Sequence, residues 1–372
     1  MNRIYMDNAA TTRMKPEVLE AMMPYMTDVY GNPSSVHEEG RRAKQAIEKA
    51  RIQVAEAIHV NPAFVYFTSG ATESNNMFFK KALMRIVTTK TEHPSIIRTA
   101  EHCGMRYGIC WINVDRNGKI DAQQFRNAIK ITDDVFFSGA NNETGTIQDL
   151  ESIYMPRFAP TYHFDMTQAV GHIPVCFDKL SKFGTSNIIS FSAHKFGGPK
   201  GVGVCIDAGD SSGLMYGGDQ ELGHRPGTEN VAGIVGLGKA IELATRDMEQ
   251  NTEYVRRLSK KLVTGILSDI ESSWLNGPDV GPDRLPGNVN ISFAGCYGTA
   301  IVLALDEAGV ACSSGSACSS GNGKPSHVLM AMYNDEPRAN ASVRFTLNED
   351  NTEEEVDYVL KILPEIIRRL RE

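Results

Sequence analysis

The chain is 372 residues long, 41% hydrophobic and 22% charged, with a formal net charge of −7 and a pI near 5.8. That composition supports a sizeable core, and the length suggests two or three structural units, or one large and one small. The acidic balance argues against nucleic acid or an anionic membrane as the main partner, and no apolar run approaches the roughly 18 residues that span a bilayer. The opening MNRIYMDNAATT lacks the apolar core of a signal peptide, so the expected location is the cytoplasm.

Along the chain, short apolar runs alternate with helical patterns. Residues 34–59 carry apolar side chains at helical spacing, with a serine as candidate N-cap. FVYFTSG (64–70) reads as a strand ending in glycine, followed by a helix from about Thr72 to Met84. IVTT (86–89) is the next predicted strand, then a helix from Pro94. WINV (111–114), VFFSGA (135–140), TYHFD (161–165) and NIISFSA (187–193) are further predicted strands. Strands alternating with helices imply crossover connections and a mostly parallel sheet covered on both faces.

Two longer helical patterns follow at 230–249 and 252–269, and then the order changes. A strand NVNISF (288–293), a helix near 298–308, a strand SVRFTL (342–347) and a helix from Thr352 predict a smaller α+β unit. The boundary falls near residue 250.

Seven cysteines at scattered spacing form no CxxC pair. An odd number in a chain this long predicts reduced thiols, with no disulfide framework and no metal site. Cys205, Cys110 and Cys176 read as strand core. Cys318 is different: in SSGSACSSG (313–321) it has almost no apolar company, unlike a buried structural thiol.

In open α/β sheets, ligands bind beyond the carboxyl ends of the strands. TSGATE, TEHPS, NNETG, DMTQ and SAHK all stand at such ends and converge on a single predicted site. Lys195, next to His194 after an apolar strand, is either a snorkelling surface lysine or a Schiff-base lysine, which needs partial desolvation. TSGATESNN (68–76) is either a capped helix start, with Thr72 as cap, or an anion site built from backbone N–H groups. Asp165 is either a helix cap or the partner of a ring N–H cation. His93 caps, packs, or stacks over a flat ring.

At this point the order of motifs carries a resemblance. YMDNAATT, GNPSSVHEEG, TSGATESNN, TEH, NNETGTIQ, HFDMTQAVG, SFSAHKFGGPKGVG, GGDQELGHRPGTEN, SSGSACSS, PSHVL and VRFTL follow one another nearly end to end. In that order they resemble the NifS/IscS type of cysteine desulfurase, in the class V branch of pyridoxal-phosphate enzymes.

The resemblance implies the aspartate aminotransferase-like α/β fold, with a large cofactor-binding domain at 15–250. Residues 1–14 and 251–372 would form the small domain that carries the Cys318 loop. It further implies that Lys195 bonds covalently to pyridoxal phosphate. Ala71, Thr72, Ser192 and His194 would bind the phosphate, with Thr228 from the partner subunit of a homodimer. Asp165 would face the pyridine nitrogen, Gln168 the phenolic oxygen and His93 the ring face, with Asn142 also at the cofactor and His93 counted with Lys195 and Cys318 among the catalytic residues.

Asn142 and Arg344 would hold the carboxylate of L-cysteine, and Cys318 would be the catalytic thiol. The sulfur acceptor implied is an iron–sulfur scaffold or a tRNA-thiolation enzyme. No direct nucleic-acid contact, no membrane and no metal are implied, beyond a transient cluster contact by Cys318. Free lysine amine within reach of Cα can move a proton, and a thiolate can attack the substrate sulfur. A Ser/Gly-rich loop around Cys318 lets the resulting persulfide be handed outward.

Two departures stand out. Pro156 and Pro160 fall where the family has a helix, which predicts a stunted one. Pro226 replaces the usual serine near Thr228. The rival readings are an aminotransferase, which needs no loop thiol, a selenocysteine lyase, and a non-catalytic sulfur carrier, whose paired ligands are missing.

Overall fold

The structure is a computed structural model that describes residues 3–81, 84–153, 161–177, 186–207, 214–315 and 324–372. Its main sheet has seven strands, in the order Val65–Thr68, Gly203–Asp207, Ser186–Ser192, Thr161–Asp165, Asp134–Ser138, Ile86–Thr89, Ile109–Ile112. All neighbours pair parallel except Gly203–Asp207, which is antiparallel to both of its own. Strands such as VFFS are buried at nearly every position, as expected for a sheet covered on both faces.

Register decides where the chemistry falls. Ser138, Asp165 and Ser190 lie side by side on three adjacent strands, so polar strand ends share one edge. On the other side of the sheet, Gly203 is opposite both Thr68 and Ser192. A Cβ on Gly203 would stand 2.5 Å from the Cα of Gly70, so only glycine lets the TSGA turn lie this close.

Expected and observed elements differ where local caps intervene. The helix expected from Ser34 begins at Glu38, because His37 accepts from the Gly40 N–H and takes the N-cap. WINV shifts to Ile109–Ile112, since Gly108 ends the preceding helix at φ +84° and the strand starts at once. Thr72 is not a cap: the helix Ala71–Lys81 starts one residue before it. Cys110 and Cys205 lie in strands, but half-buried Cys176 lies outside any. Pro156 and Pro160 fall outside the described residues.

The apolar core changes hands near residue 250. Helix Val231–Arg246 packs Ile234, Leu237 and Ile241 into the core of the main sheet. Helix Met248–Asp269 instead packs Val255, Leu258 and Leu262 into a second core with Ile4 and Met6. That core covers a four-stranded antiparallel sheet, Ser313–Ser314, Ser342–Thr346, Asn288–Phe293 and Ser273–Leu275. The first strand of the chain, Ile4–Tyr5, pairs parallel with Val310–Ala311.

The NNETG turn joins the two cores. Asn141 Oδ1 accepts from the N–H groups of Glu143 and Thr144, a local turn that Asn side chains favour. Asn288 and Asn290 each donate to the Glu143 carbonyl. Gly145 has φ +72°, and a Cβ there would meet Asn288 Cβ at 2.6 Å.

Gly145→Ala is therefore expected to lose about 1–3 kcal/mol in urea unfolding, from left-handed backbone strain and the clash. Gly281→Ala, whose nearest neighbour would be 3.9 Å away, should stay within about 0.5 kcal/mol of wild type. Equal losses in the two variants would contradict this account of the turn.

Candidate active site

A cavity of about 330 Å³ opens at the carboxyl edge of the main sheet. Ala71, Thr72, His93, Asn142, Asp165, Gln168, Ser192, His194, Lys195 and Arg344 all line it. The structure thus brings together ten of the residues singled out from sequence. Ala9, Ala10, Ser95, Ser138, Ala140 and Thr167 complete the wall.

Lys195 ends the single 3₁₀ turn that follows the strand Ser186–Ser192. Its Nζ donates to the carbonyls of Ala9 at 2.7 Å and Ala10 at 2.8 Å. The lysine therefore points inward, away from the snorkelling alternative. Ala9 and Ala10 were missed as site residues because they act through backbone oxygen, which side-chain chemistry does not advertise. The N-terminal stretch is laced to the lysine turn by Thr12, which donates to the His194 carbonyl and accepts from the Gly197 N–H.

Asp165 ends its strand, nearly buried. Its Oδ1 accepts from the Thr167 N–H at 3.0 Å and its Oδ2 from Asn75 Nδ2 at 2.9 Å. Asp165 caps no helix, because a turn follows its strand; its carboxylate holds that turn and lines the cavity. His93 also does two things. It is the N-cap of helix Pro94–Tyr107, its Nδ1 accepting from the Ser95 N–H at 3.1 Å, and it lines the cavity. Burial holds the His93 imidazole below its ordinary pKa.

On the far side, the Ala71 N–H donates to Ser192 Oγ at 2.8 Å, at the first turn of its helix. His194 is pushed down to about 4, mainly by burial and then by Lys195 and Lys200, so its ring is neutral near pH 7. Gln168 donates to the Ala9 carbonyl at 3.1 Å.

Arg344 enters from the smaller sheet and is 1% exposed. One guanidinium nitrogen donates to the Asn142 carbonyl at 3.0 Å and another to Asp7 Oδ1 at 2.9 Å. Its buried Nε has no hydrogen-bond partner, and the residue lines the cavity.

Cys318 lies outside the described residues. The segments on either side of 316–323 are both tied beside the cavity. Ser313 pairs directly with Arg344 in the antiparallel ladder. At the other end, Ser326 donates to the buried Glu143 carboxylate and His327 Nε2 lies 3.0 Å from the Glu92 carbonyl oxygen. Cys312 is buried, and burial pushes its thiol far up, which fits a structural thiol. Thr228 is exposed and does not line the cavity of its own chain. Among the described residues no cluster suits a metal ion, and no helix is long and apolar enough to cross a membrane.

A lysine amine and a buried strand-end carboxylate lining one cavity, beside a glycine-lined helix start, define the site of a pyridoxal-phosphate enzyme. The chain belongs to the aminotransferase class-V family, whose family model matches residues 4–359. It is 40% identical to "Cysteine desulfurase IscS" of Clostridium botulinum strain Hall, over 100% of this chain and 96% of that protein. Among solved structures it is similar to a "NifS-like protein", with a TM-score of 0.89, 34% identity and coverage of 99% of this chain and 100% of that one. It also resembles a structure described as "SspA in complex with cysteine", with a TM-score of 0.78, 28% identity and coverage of 92% and 98%.

One buried acid behind the wall yields a pH prediction. Burial raises Glu92 from the ordinary 4.5 to about 7, although Ser138 and Thr89 donate to it. Between those values the native state keeps a proton that the unfolded state has lost, so stability falls as pH rises through the interval. Glu92→Gln removes the effect. Its unfolding free energy should gain on wild type between pH 4.5 and 7 by up to about 3 kcal/mol, read from urea curves of cofactor-free protein. Parallel pH profiles would contradict the assignment.

Proposed function

We propose that this class-V enzyme is a cysteine desulfurase that takes sulfur from L-cysteine onto Cys318 and releases L-alanine. The observation that carries this reading is one cavity with Lys195, Asp165 and Arg344 in its wall and both flanks of the Cys318 segment tied beside it.

The residues fit pyridoxal phosphate by their chemistry. Lys195 supplies an amine for the aldehyde carbon, and Asp165 a carboxylate for the ring nitrogen. Ala71, Thr72, Ser192 and His194 would hold the phosphate at the helix start, where Gly203 lets the TSGA turn lie close against the sheet. Gln168 would contact the phenolic oxygen and His93 the ring face. When bound, the cofactor supplies an electron sink for the bonds around the substrate Cα.

The chain's own groups do the rest. The guanidinium of Arg344, with Asn142 beside it in the wall, would hold the substrate carboxylate. Lys195, once displaced, would move the proton at Cα. The Cys318 thiolate would attack the substrate sulfur: its S–S bond forms as the C–S bond breaks, leaving a persulfide on the enzyme.

The reading extends to assembly and location. Thr228 is exposed, as is Leu222 six residues earlier, which suits a stretch that meets a second copy and completes its phosphate site. The protein would act as a cytoplasmic homodimer, without direct nucleic-acid or membrane contact. It would pass sulfur to an acceptor protein, an iron–sulfur scaffold or a tRNA-thiolation enzyme. Residues 15–250 would form the large domain, and 1–14 with 251–372 the small one.

With L-cysteine and a reductant, sulfide and alanine are expected in equal amounts. Cys318→Ala should cut sulfide release at least about 100-fold while keeping the colour of bound cofactor. Undiminished sulfide from that variant would assign the chemistry to another thiol or to the cofactor alone.

A further inference from the structure

Behind the cavity wall sits a side chain that the motifs leave without a role. Asn75 lies in the helix Ala71–Lys81 and is fully buried. Its Nδ2 donates to Asp165 Oδ2 and to Ser95 Oγ, each at 2.9 Å. Its Oδ1 accepts from Ser190 Oγ at 2.5 Å and lies 2.8 Å from His163 Nε2. Every hydrogen-bonding position of the amide is used.

The direction of these bonds follows from chemistry. A carboxylate only accepts, so the amide NH₂ must face Asp165, and the amide oxygen then faces His163. His163 must carry its proton on Nε2. Its buried Nδ1 has no partner, and burial pushes the imidazole down to about 4, which keeps it neutral. Ser95 Oγ accepts from Asn75 and has a single hydrogen left. His93 Nδ1 is 2.8 Å away and takes it. The Ser95 backbone N–H, 3.1 Å from the same nitrogen, can only donate.

We propose that Asn75 is a positioning residue of the reaction, one amide that orients the Asp165 carboxylate and, through Ser95, holds His93 with its proton on Nε2. Two donors meet His93 Nδ1, so that nitrogen is bare and the ring proton belongs to the nitrogen Ser95 does not engage. His93 is thereby kept as a hydrogen-bond donor in the resting enzyme, and proton abstraction at Cα falls to Lys195. The two groups that would contact the cofactor ring, one at its nitrogen and one at its face, share a single buried support. This rests on the cofactor contacts of Asp165 and His93 proposed above.

The test uses the full chain loaded with pyridoxal phosphate. Nitrogen NMR of isotope-labelled histidine at near-neutral pH, with His93 assigned by its loss in His93→Gln, should show a bare Nδ1 and a protonated Nε2. A proton on Nδ1 overturns the proposal. Ser95→Ala should lower kcat at least about tenfold, with KM for L-cysteine and cofactor Kd within about twofold. Asn75→Ala should lower kcat and also raise the cofactor Kd at least about tenfold, because Asp165 loses a donor.

Wild-type kcat in Ser95→Ala, or wild-type cofactor affinity in Asn75→Ala, overturns the shared support. If Asn75→Ala does not fold, the wild-type spectrum and Ser95→Ala still decide. A protein that binds the cofactor but releases no sulfide overturns the functional reading instead, and the His93 spectrum then decides this inference by itself.

Discussion

The structure depends on holding one carboxylate, Asp165, buried at the end of a parallel strand. Burying a charge is unfavourable unless donors replace the water it loses. Two donors are built for the purpose. One is the Thr167 N–H, from the turn that leaves the strand; the other is Asn75, from the helix that follows a different strand. The sheet register puts Ser138 and Ser190 on either side, so the polar edge belongs to several strands at once. A carboxylate held this way faces a cavity where a cationic ring nitrogen is the natural partner, and Lys195 lines the same cavity.

A second constraint is that neither core builds the site alone. The lysine amine rests on carbonyls of Ala9 and Ala10, in a stretch whose preceding strand pairs with Val310–Ala311. Arg344 comes from the smaller sheet and donates to the Asn142 carbonyl in the NNETG turn. Glu143, in that same turn, accepts from Ser326, just beyond the Cys318 segment. The lysine and the arginine are therefore both held by contacts that cross between the two cores. Gly145 is the point at which this junction tolerates no side chain.

Much of this was legible in the sequence because strand ends announce themselves. IVTT, TYHFD and NVNISF appear as strands with the expected bounds, since their β-branched and aromatic residues favour the pleated conformation. Lys195, Asp165 and His93 were visible as polar groups at such ends. Helix starts were less legible. His37 and not Ser34 takes the cap, because the choice depends on which side chain reaches a free N–H. Ala9 and Ala10 were hidden because a backbone carbonyl has no residue signature. Asn75 and Ser95 were hidden because their importance lies in who faces them across the fold. The short strands Ser273–Leu275 and Ser313–Ser314 carry no pattern long enough to read.

The claim that most of the account rests on is that the amine of Lys195 is the point of cofactor attachment. Reducing the cofactor-loaded protein with borohydride and mapping its peptides by mass spectrometry tests this directly. A single modified peptide is expected, with the reduced cofactor on Lys195. Attachment at Lys200, or at any other lysine, would contradict the arrangement of the cavity and the chemistry drawn from it.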